Sequence, residues 1–182
     1  MKISETKIPG VYYIEADNFH DDRGSFIKTF HKETFVQGNI NTIFEESFFS
    51  VSKKGVIRGM HFQIPPQDHT KLVYVPHGSV TDVVLDLRKG SPTFGGHIAV
   101  ELSAENHMML YIPVGCAHGF ISREDGTRVV YLQSTMRSAE HEAGIRFDSF
   151  GMDWGVNDPI VSKRDQVFQT LGEFDSPFTF QK

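Results

Sequence analysis

The chain has 182 residues, 39% of them hydrophobic and 23% charged, with a net charge of −5 at pH 7. This length suits one domain with a substantial core and is short for two, and the acidic balance leaves no basic patch of the kind that binds nucleic acid. Cys116 is the only cysteine, which excludes an intramolecular disulfide; with no apolar run of signal-peptide or membrane-span length, the expectation is a cytoplasmic protein that engages neither membrane nor nucleic acid.

Short runs of β-branched and aromatic residues, bounded by Gly, Pro, Asn and Asp, predict strands in chain order. They cover 10–16 (GVYYIEA), 46–52 (ESFFSVS), 71–75 (KLVYV), 79–88 (SVTDVVLDLR), 97–102 (HIAVEL), 108–113 (MMLYIP) and 128–135 (RVVYLQST). The best helical candidate is HKETFVQ at 31–37, about two turns. PHGS, KGSPTFGG and EDGT read as turns or loops. Many short strands with almost no helix imply a sandwich or barrel. No repeat, linker or low-complexity segment divides the chain, so residues 1–182 are read as one domain. From about Ser149 the pattern is irregular. It still holds Phe150, Trp154, Phe168, Phe174, Phe178 and Phe180, too apolar for a free tail, and is expected to fold back over the body or a partner subunit.

Residues 55–75, GVIRGMHFQIPPQDHTKLVYV, gather Arg58, His61, Gln63, His69 and Lys71. Farther on, YIPVGCAHGF carries Pro-x-Gly-x-x-His, the form of the second cupin motif, ending at His118. The first cupin motif would supply His-x-His and then Glu; here those positions read His61, Gln63 and a stretch ending in Lys71. The sequence therefore resembles a cupin-type double-stranded β-helix, an all-β jelly roll with a few short helices, whose metal site is dismantled. Gln is a poor ligand for a transition metal and an ammonium group repels a cation. No metal and no cofactor is expected.

The segments DDRGSFIKTF, GVIRGMHFQIPP, KLVYVPHGSVTDVVLDLRKGSPTFG, LSAENHMMLYIPVGCAHGF, VVYLQST, HEAGI, MDW and VSKRD together resemble the dTDP-4-dehydrorhamnose 3,5-epimerase family, in that family's order and spacing, from about residue 8 to 165. The chemistry this implies is simple to state. A 4-keto sugar has acidified hydrogens on carbons 3 and 5. Inverting either centre takes a base on one face, an acid on the other and a cation near the ketone oxygen, where the enolate places its charge.

The resemblance assigns these parts. His61 is the base, paired with Asp165, whose carboxylate would fix the ring tautomer and raise its basicity. Tyr131 is the proton donor. Lys71 and His118 lie near the sugar. Lys71 shares a strand face with Val73 and Val75, and an inward lysine is costly unless it meets an anion. Arg58 and Arg23 match arginines that grip substrate or diphosphate. Phe26 matches a stacking aromatic, and Glu142 in HEAGI joins the substrate-binding set. The family is dimeric with exchanged N-terminal strands. YYIEA or SFIKTF is therefore expected to complete a neighbour's sheet, with Phe26 reaching the partner's nucleotide site.

Four departures from the family pattern, at five residues, bear on the substrate. Lys28 stands where Glu is frequent, Glu46-Ser47-Phe48 replaces Gln-x-Asn, Arg137 replaces a Tyr that stacks on thymine, and His69 replaces a Gln. Lys28, Glu46, Phe48 and Arg137 belong to the nucleotide and outer sugar pocket, so the proton-transfer set is kept while the recognition set has changed. Arg137 can still stack on a base through its planar guanidinium, and Lys28 with Glu46 forms a candidate ion pair. The reading is a nucleotide-sugar epimerase that inverts carbon 3, carbon 5 or both of a 4-keto-6-deoxy sugar in deoxysugar biosynthesis. The sugar is carried on dTDP or on another nucleotide such as CDP or GDP. The alternatives are a 3,4-ketoisomerase, a non-catalytic nucleotide-sugar-binding cupin and a metal-dependent cupin oxygenase.

Overall fold

A computed structural model describes residues 1–181. Its strands are β1 (Lys2–Glu5), β2 (Tyr12–Glu15), β3 (Asp17–Asp21), β4 (Gly24–Lys28), β5 (Glu46–Ser52), β6 (Val56–Gln63), β7 (Lys71–His77), β8 (Ser79–Asp86), β9 (His97–Ser103), β10 (Met108–Ile112), β11 (Cys116–Ser122), β12 (Thr127–Gln133), β13 (Glu142–Gly144) and β14 (Ile160–Val161). Two short helices, α1 (Lys32–Gln37) and α2 (Lys163–Gln166), complete the described elements. One sheet runs β1-β2-β10-β7-β12-β5; the other runs β13-β6-β11-β8-β9, with β14 parallel to β6. The β3–β4 hairpin is a separate ribbon. Two antiparallel sheets packed face to face form the expected cupin-like jelly roll.

The main core lies between the sheets. Val73, Val75, Leu110, Ile112, Val129 and Tyr131 of the first face Val80, Val84, Ile98, Leu102 and Phe120 of the second. The second sheet is buried on its outer face as well, because the chain beyond residue 149 folds back over it. There Trp154 and Phe178, with Phe174 at the edge, pack on Ile57, Met60, Val83, Leu85 and Ile121. That is why β8 and β11 are buried along nearly their whole length rather than at alternate residues. The returning segment covers the same chain's sheet. Trp154 seats its indole N–H on the Phe147 carbonyl at 2.9 Å. On the outer face of the first sheet, α1 inserts Phe35 beside Ile14, Leu72, Met109 and Tyr111.

The strand predicted over 79–88 ends sooner, at Asp86, for a local reason. The buried Asp86 carboxylate accepts from the Arg88 backbone N–H and guanidinium and from the hydroxyls of Ser91 and Thr93, which turns the chain. The strands β1, β3, β13 and β14 and the helix α2 carry no alternating apolar signal and are supplied by pairing or capping. Ser162 caps α2 by accepting the Asp165 backbone N–H.

One close approach positions the site. A Cβ on Gly59 would lie 2.5 Å from Gly119 Cα, and one on Gly119 would lie 2.8 Å from the Arg58 carbonyl. Two facing glycines let β6 and β11 pinch together, with a register irregularity between His118 and Phe120. Gly59, at φ +140°, turns the strand so that Arg58 and His61, three residues apart, both reach the same cavity.

Removing the indole that fastens the returning segment should be costly. Trp154→Ala is expected to destabilise the fold by about 3–5 kcal/mol, read from urea unfolding midpoints.

Candidate active site

A cavity of about 210 Å³ opens beside this pinch. Its floor is polar: His61 and Arg58 from β6, Lys71 from β7, His118 from β11, and Tyr131 and Gln133 from β12. Phe48 and Ser50 of β5 form one wall, His69 another, and Arg137, Glu142 and Arg164 the rim. His61 and Tyr131 thus come from opposite sheets into one space.

His61 Nε2 lies 3.0 Å from Asp165 Oδ1. Arg164 Nη2 is also 3.0 Å from that nitrogen. A carboxylate only accepts and a guanidinium only donates, so one nitrogen cannot serve both. We assign the Nε2 proton to Asp165, because Arg164 has other acceptors in Glu142 (3.0 Å) and Asp165 itself (3.2 Å). Nδ1 then carries the free lone pair. Burial alone would raise the Asp165 carboxyl. The hydrogen bond and charge of His61 and the Gly59 backbone N–H, at 3.3 Å, carry it down to about 2. Burial lowers the His61 imidazole below its ordinary 6.5, with Asp165 pulling upward and Lys71 and Arg164 pushing down. The ring is therefore neutral at pH 7, with a fixed anion ready for the imidazolium.

Tyr131 is buried, stacked on Phe48 with ring centroids 4.8 Å apart, and edge-on to His118 at 5.9 Å. Burial raises its phenol, which stays protonated. His118 is held by the fully buried Asp82 at 2.8 Å. Lys71 shares its face with Val73 and Val75, as its spacing predicts, and donates to the His61 carbonyl at 3.0 Å. Burial lowers its ammonium to about 8, against the pull of Asp82 and Glu142. Arg58 is held in place by Ser52 Oγ and the Val51 carbonyl, each at 3.1 Å.

Gln63, in the position of a second metal histidine, spends its amide on two loops. It donates to the carbonyls of Gln67 (2.6 Å) and Met136 (3.3 Å) and accepts the Ser138 backbone N–H (2.6 Å). This fixes the segment carrying Arg137. The rim is a chain of charges: the Arg137 side chain binds Glu142 at 2.8 Å, Arg164 binds the other Glu142 oxygen, and Glu46 accepts the Arg137 backbone N–H at 2.6 Å.

Thus His61, Tyr131, Asp165, Lys71, Arg58, His118, Phe48, Arg137 and Glu142 are brought together, with Glu46 just behind the rim. Arg23, Phe26 and Lys28 are not. They sit on the exposed β3–β4 ribbon, where Arg23 pairs with Asp21 at 2.6 Å and Lys28 lies 5.9 Å from the centroid of the Phe19 ring. Within the chain no Lys28–Glu46 pair is seen, the β3–β4 ribbon being separate from the sheet that holds β5. Sequence reasoning missed Arg164, though it adjoins Asp165 in SKRD. It also missed Asp82, whose signal is a carboxylate inside the apolar run SVTDVVLD.

A jelly roll with a buried His–Asp pair and a phenol from the opposite sheet, set in a cation-lined cavity, defines a cupin-type enzyme of proton transfer. The chain belongs to the dTDP-4-dehydrorhamnose 3,5-epimerase family, whose model matches residues 5–173, and is a nucleotide-sugar epimerase. It is 39% identical over 168 residues to the dTDP-4-dehydrorhamnose 3,5-epimerase of Shigella flexneri, spanning 91% of this chain and 93% of that one. It superposes with a TM-score of 0.93 and 34% identity on the dTDP-6-deoxy-D-glucose-3,5-epimerase of Legionella pneumophila in complex with dTDP-4-keto-L-rhamnose, covering 100% and 99% of the two chains. It is also similar to ChmJ, a 3′-monoepimerase from Streptomyces bikiniensis solved with dTDP-quinovose, with a TM-score of 0.87, 30% identity and 92% and 86% coverage.

By NMR titration, His61 should protonate below pH 6.5. In Asp165→Asn its midpoint should fall further, since the partner that stabilises the imidazolium is gone.

Proposed function

We propose that this enzyme inverts carbon 3, carbon 5 or both of a nucleotide-diphosphate-linked 4-keto-6-deoxy hexose, with His61 as base and Tyr131 as acid. The observation that carries the reading is the oriented, neutral His61–Asp165 pair sharing a cavity with a protonated, buried phenol. His61 takes the hydrogen beside the ketone as a proton, and the electron pair left on carbon delocalises onto the ketone oxygen. The Lys71 ammonium neutralises that enolate, with His118, oriented by Asp82, beside it. Tyr131 returns a proton to the same carbon from the opposite face. The phenolate then regains a proton and the imidazolium loses one, both through solvent, so no net proton is consumed.

Arg58 is assigned to the diphosphate, and Arg137, Glu142 and Glu46 to the outer sugar and base. The changed rim favours a substrate that differs from those of the relatives in its base or sugar. Arg23, Phe26 and Lys28 stand on a ribbon remote from the chain's own cavity. That supports a homodimer in which the ribbon of one protomer completes the site of its partner. One domain over 1–182 and a cytoplasmic setting fit the same reading. Among the described residues no helix is long and apolar enough to cross a membrane.

Incubation with a 4-keto-6-deoxy nucleotide sugar in D₂O tests the mechanism. Two deuterons mean that both centres exchange; one, with the ketone still at carbon 4 by NMR, means a single centre. A carbonyl moved to carbon 3 would favour the ketoisomerase instead. His61→Ala and Tyr131→Phe should each cut turnover by roughly 10²–10⁴-fold. The pH dependence of kcat/KM should be bell-shaped. Its acid limb lies below pH 6.5, where His61 gains a proton, and its alkaline limb near pH 8, where Lys71 loses one. Lys71→Met should abolish the alkaline limb.

A further inference from the structure

Among the described residues, three buried side-chain polar atoms lack a hydrogen-bond partner: Ser50 Oγ, His69 Nε2 and Asp82 Oδ1. Ser50 and His69 line the cavity, and Asp82 stands directly behind its His118. Folded proteins rarely leave buried polar atoms unpaired, because each costs the water it gave up. Ser50 and His69 open onto the same cavity, which marks where a ligand supplies missing partners.

His69 is the most informative of the three, because its chemistry can be fixed. The ring is 8% exposed. Its Nδ1 faces Thr135 Oγ1 at 3.5 Å, and the single Thr135 hydroxyl hydrogen is committed to the Gln67 carbonyl at 3.1 Å. Toward His69 the hydroxyl can therefore only accept, so Nδ1 carries the ring proton. Burial, and then the neighbouring Lys71 charge, lower the imidazole to about 3, so it stays neutral at physiological pH. Nε2 is left as a lone pair, an acceptor in a cavity whose charged lining is the donors Arg58, Lys71, Arg137 and Arg164 and one carboxylate, Glu142, which two of those arginines already hold.

Those cations suit the oxygens of phosphate and ketone, which only accept. What a 4-keto-6-deoxy hexose has to donate is its hydroxyl hydrogens, on carbons 2 and 3. We propose that His69 is a specificity-determining residue whose Nε2 accepts the hydrogen of a ring hydroxyl on the bound hexose, so that a sugar deoxygenated at that carbon is bound poorly. A site built to satisfy a hydroxyl rejects the analogue lacking it, because the buried acceptor is then left bare.

The inference rests on the nucleotide-sugar substrate proposed above, but it is read by binding rather than by turnover. A wild type that exchanged no deuterium would end the epimerase mechanism and leave this comparison standing. Calorimetry on the full chain gives dissociation constants for dTDP-6-deoxyglucose and its 2-deoxy and 3-deoxy counterparts, with wild type, His69→Leu and His69→Gln. Wild type should bind one of the two analogues roughly tenfold more weakly than the parent, and that analogue identifies the carbon. His69→Leu should bind the parent at the weakened level and lose the discrimination. His69→Gln, whose amide oxygen offers an acceptor at similar reach, should restore it. Should His69→Leu fail to fold, the wild-type and His69→Gln ratios decide alone. Equal affinity of wild type for the parent and both analogues, the same ratio in wild type and His69→Leu, or no binding of any of the three sugars would overturn the proposal.

Discussion

The site depends on one buried carboxylate, Asp165, reaching back from a single helical turn to the strand that carries His61. Three groups meet it: the imidazole, the Gly59 backbone N–H and the Arg164 guanidinium. A carboxylate this buried is tolerated because these donors replace its lost water. The contact also ties a segment from the end of the chain to β6, and so places the imidazole in the cavity. The glycine pair at 59 and 119 serves the same end. Any Cβ there would force β6 and β11 apart and move His61 away from His118, its register partner.

The cavity is built on an imbalance of charge. Arg58, Lys71 and Arg164 converge on it, while the nearby carboxylates are largely committed: Asp82 to His118, Asp165 to His61, Glu142 to two arginines. Such a space favours a ligand that brings negative charge and develops more during reaction, as a nucleoside diphosphate sugar passing through an enolate does. The apolar side is as specific. Phe48 lies nearly flat on Tyr131 and covers one face of the phenol ring.

The residues proposed for proton transfer lie deep, on the strands of the two sheets and the capped turn, and their environments are set by burial. The residues proposed for recognition lie on the ribbon and on the rim, and at the rim Gln63 and Glu46 fasten the Arg137 segment to the body. A rim of this kind can change its charges without disturbing the pair beneath it. This accounts for the way the departures from the family pattern at Lys28, Glu46, Phe48 and Arg137 surround an intact His61, Tyr131 and Asp165.

By itself the sequence determined an all-β sandwich or barrel, since alternating strand runs and glycine-rich turns are local signals, and its cupin-like motif implied a jelly roll. It also determined the family, whose resemblance implies His61, Tyr131 and Asp165 as a set. Tertiary structure alone decided the rest. That Gln63 holds loops, that Arg164 bridges Asp165 and Glu142, that Asp82 orients His118 and that His69 keeps a bare acceptor all depend on side chains up to 75 residues apart in sequence. It likewise decided that Lys28 and Glu46 stay apart within one chain, because the β3–β4 ribbon pairs with neither sheet. The physical reason is common to all of these: a strand's residues declare which faces are apolar, while partners, burial and hydrogen-bond supply exist only once the sheets have closed.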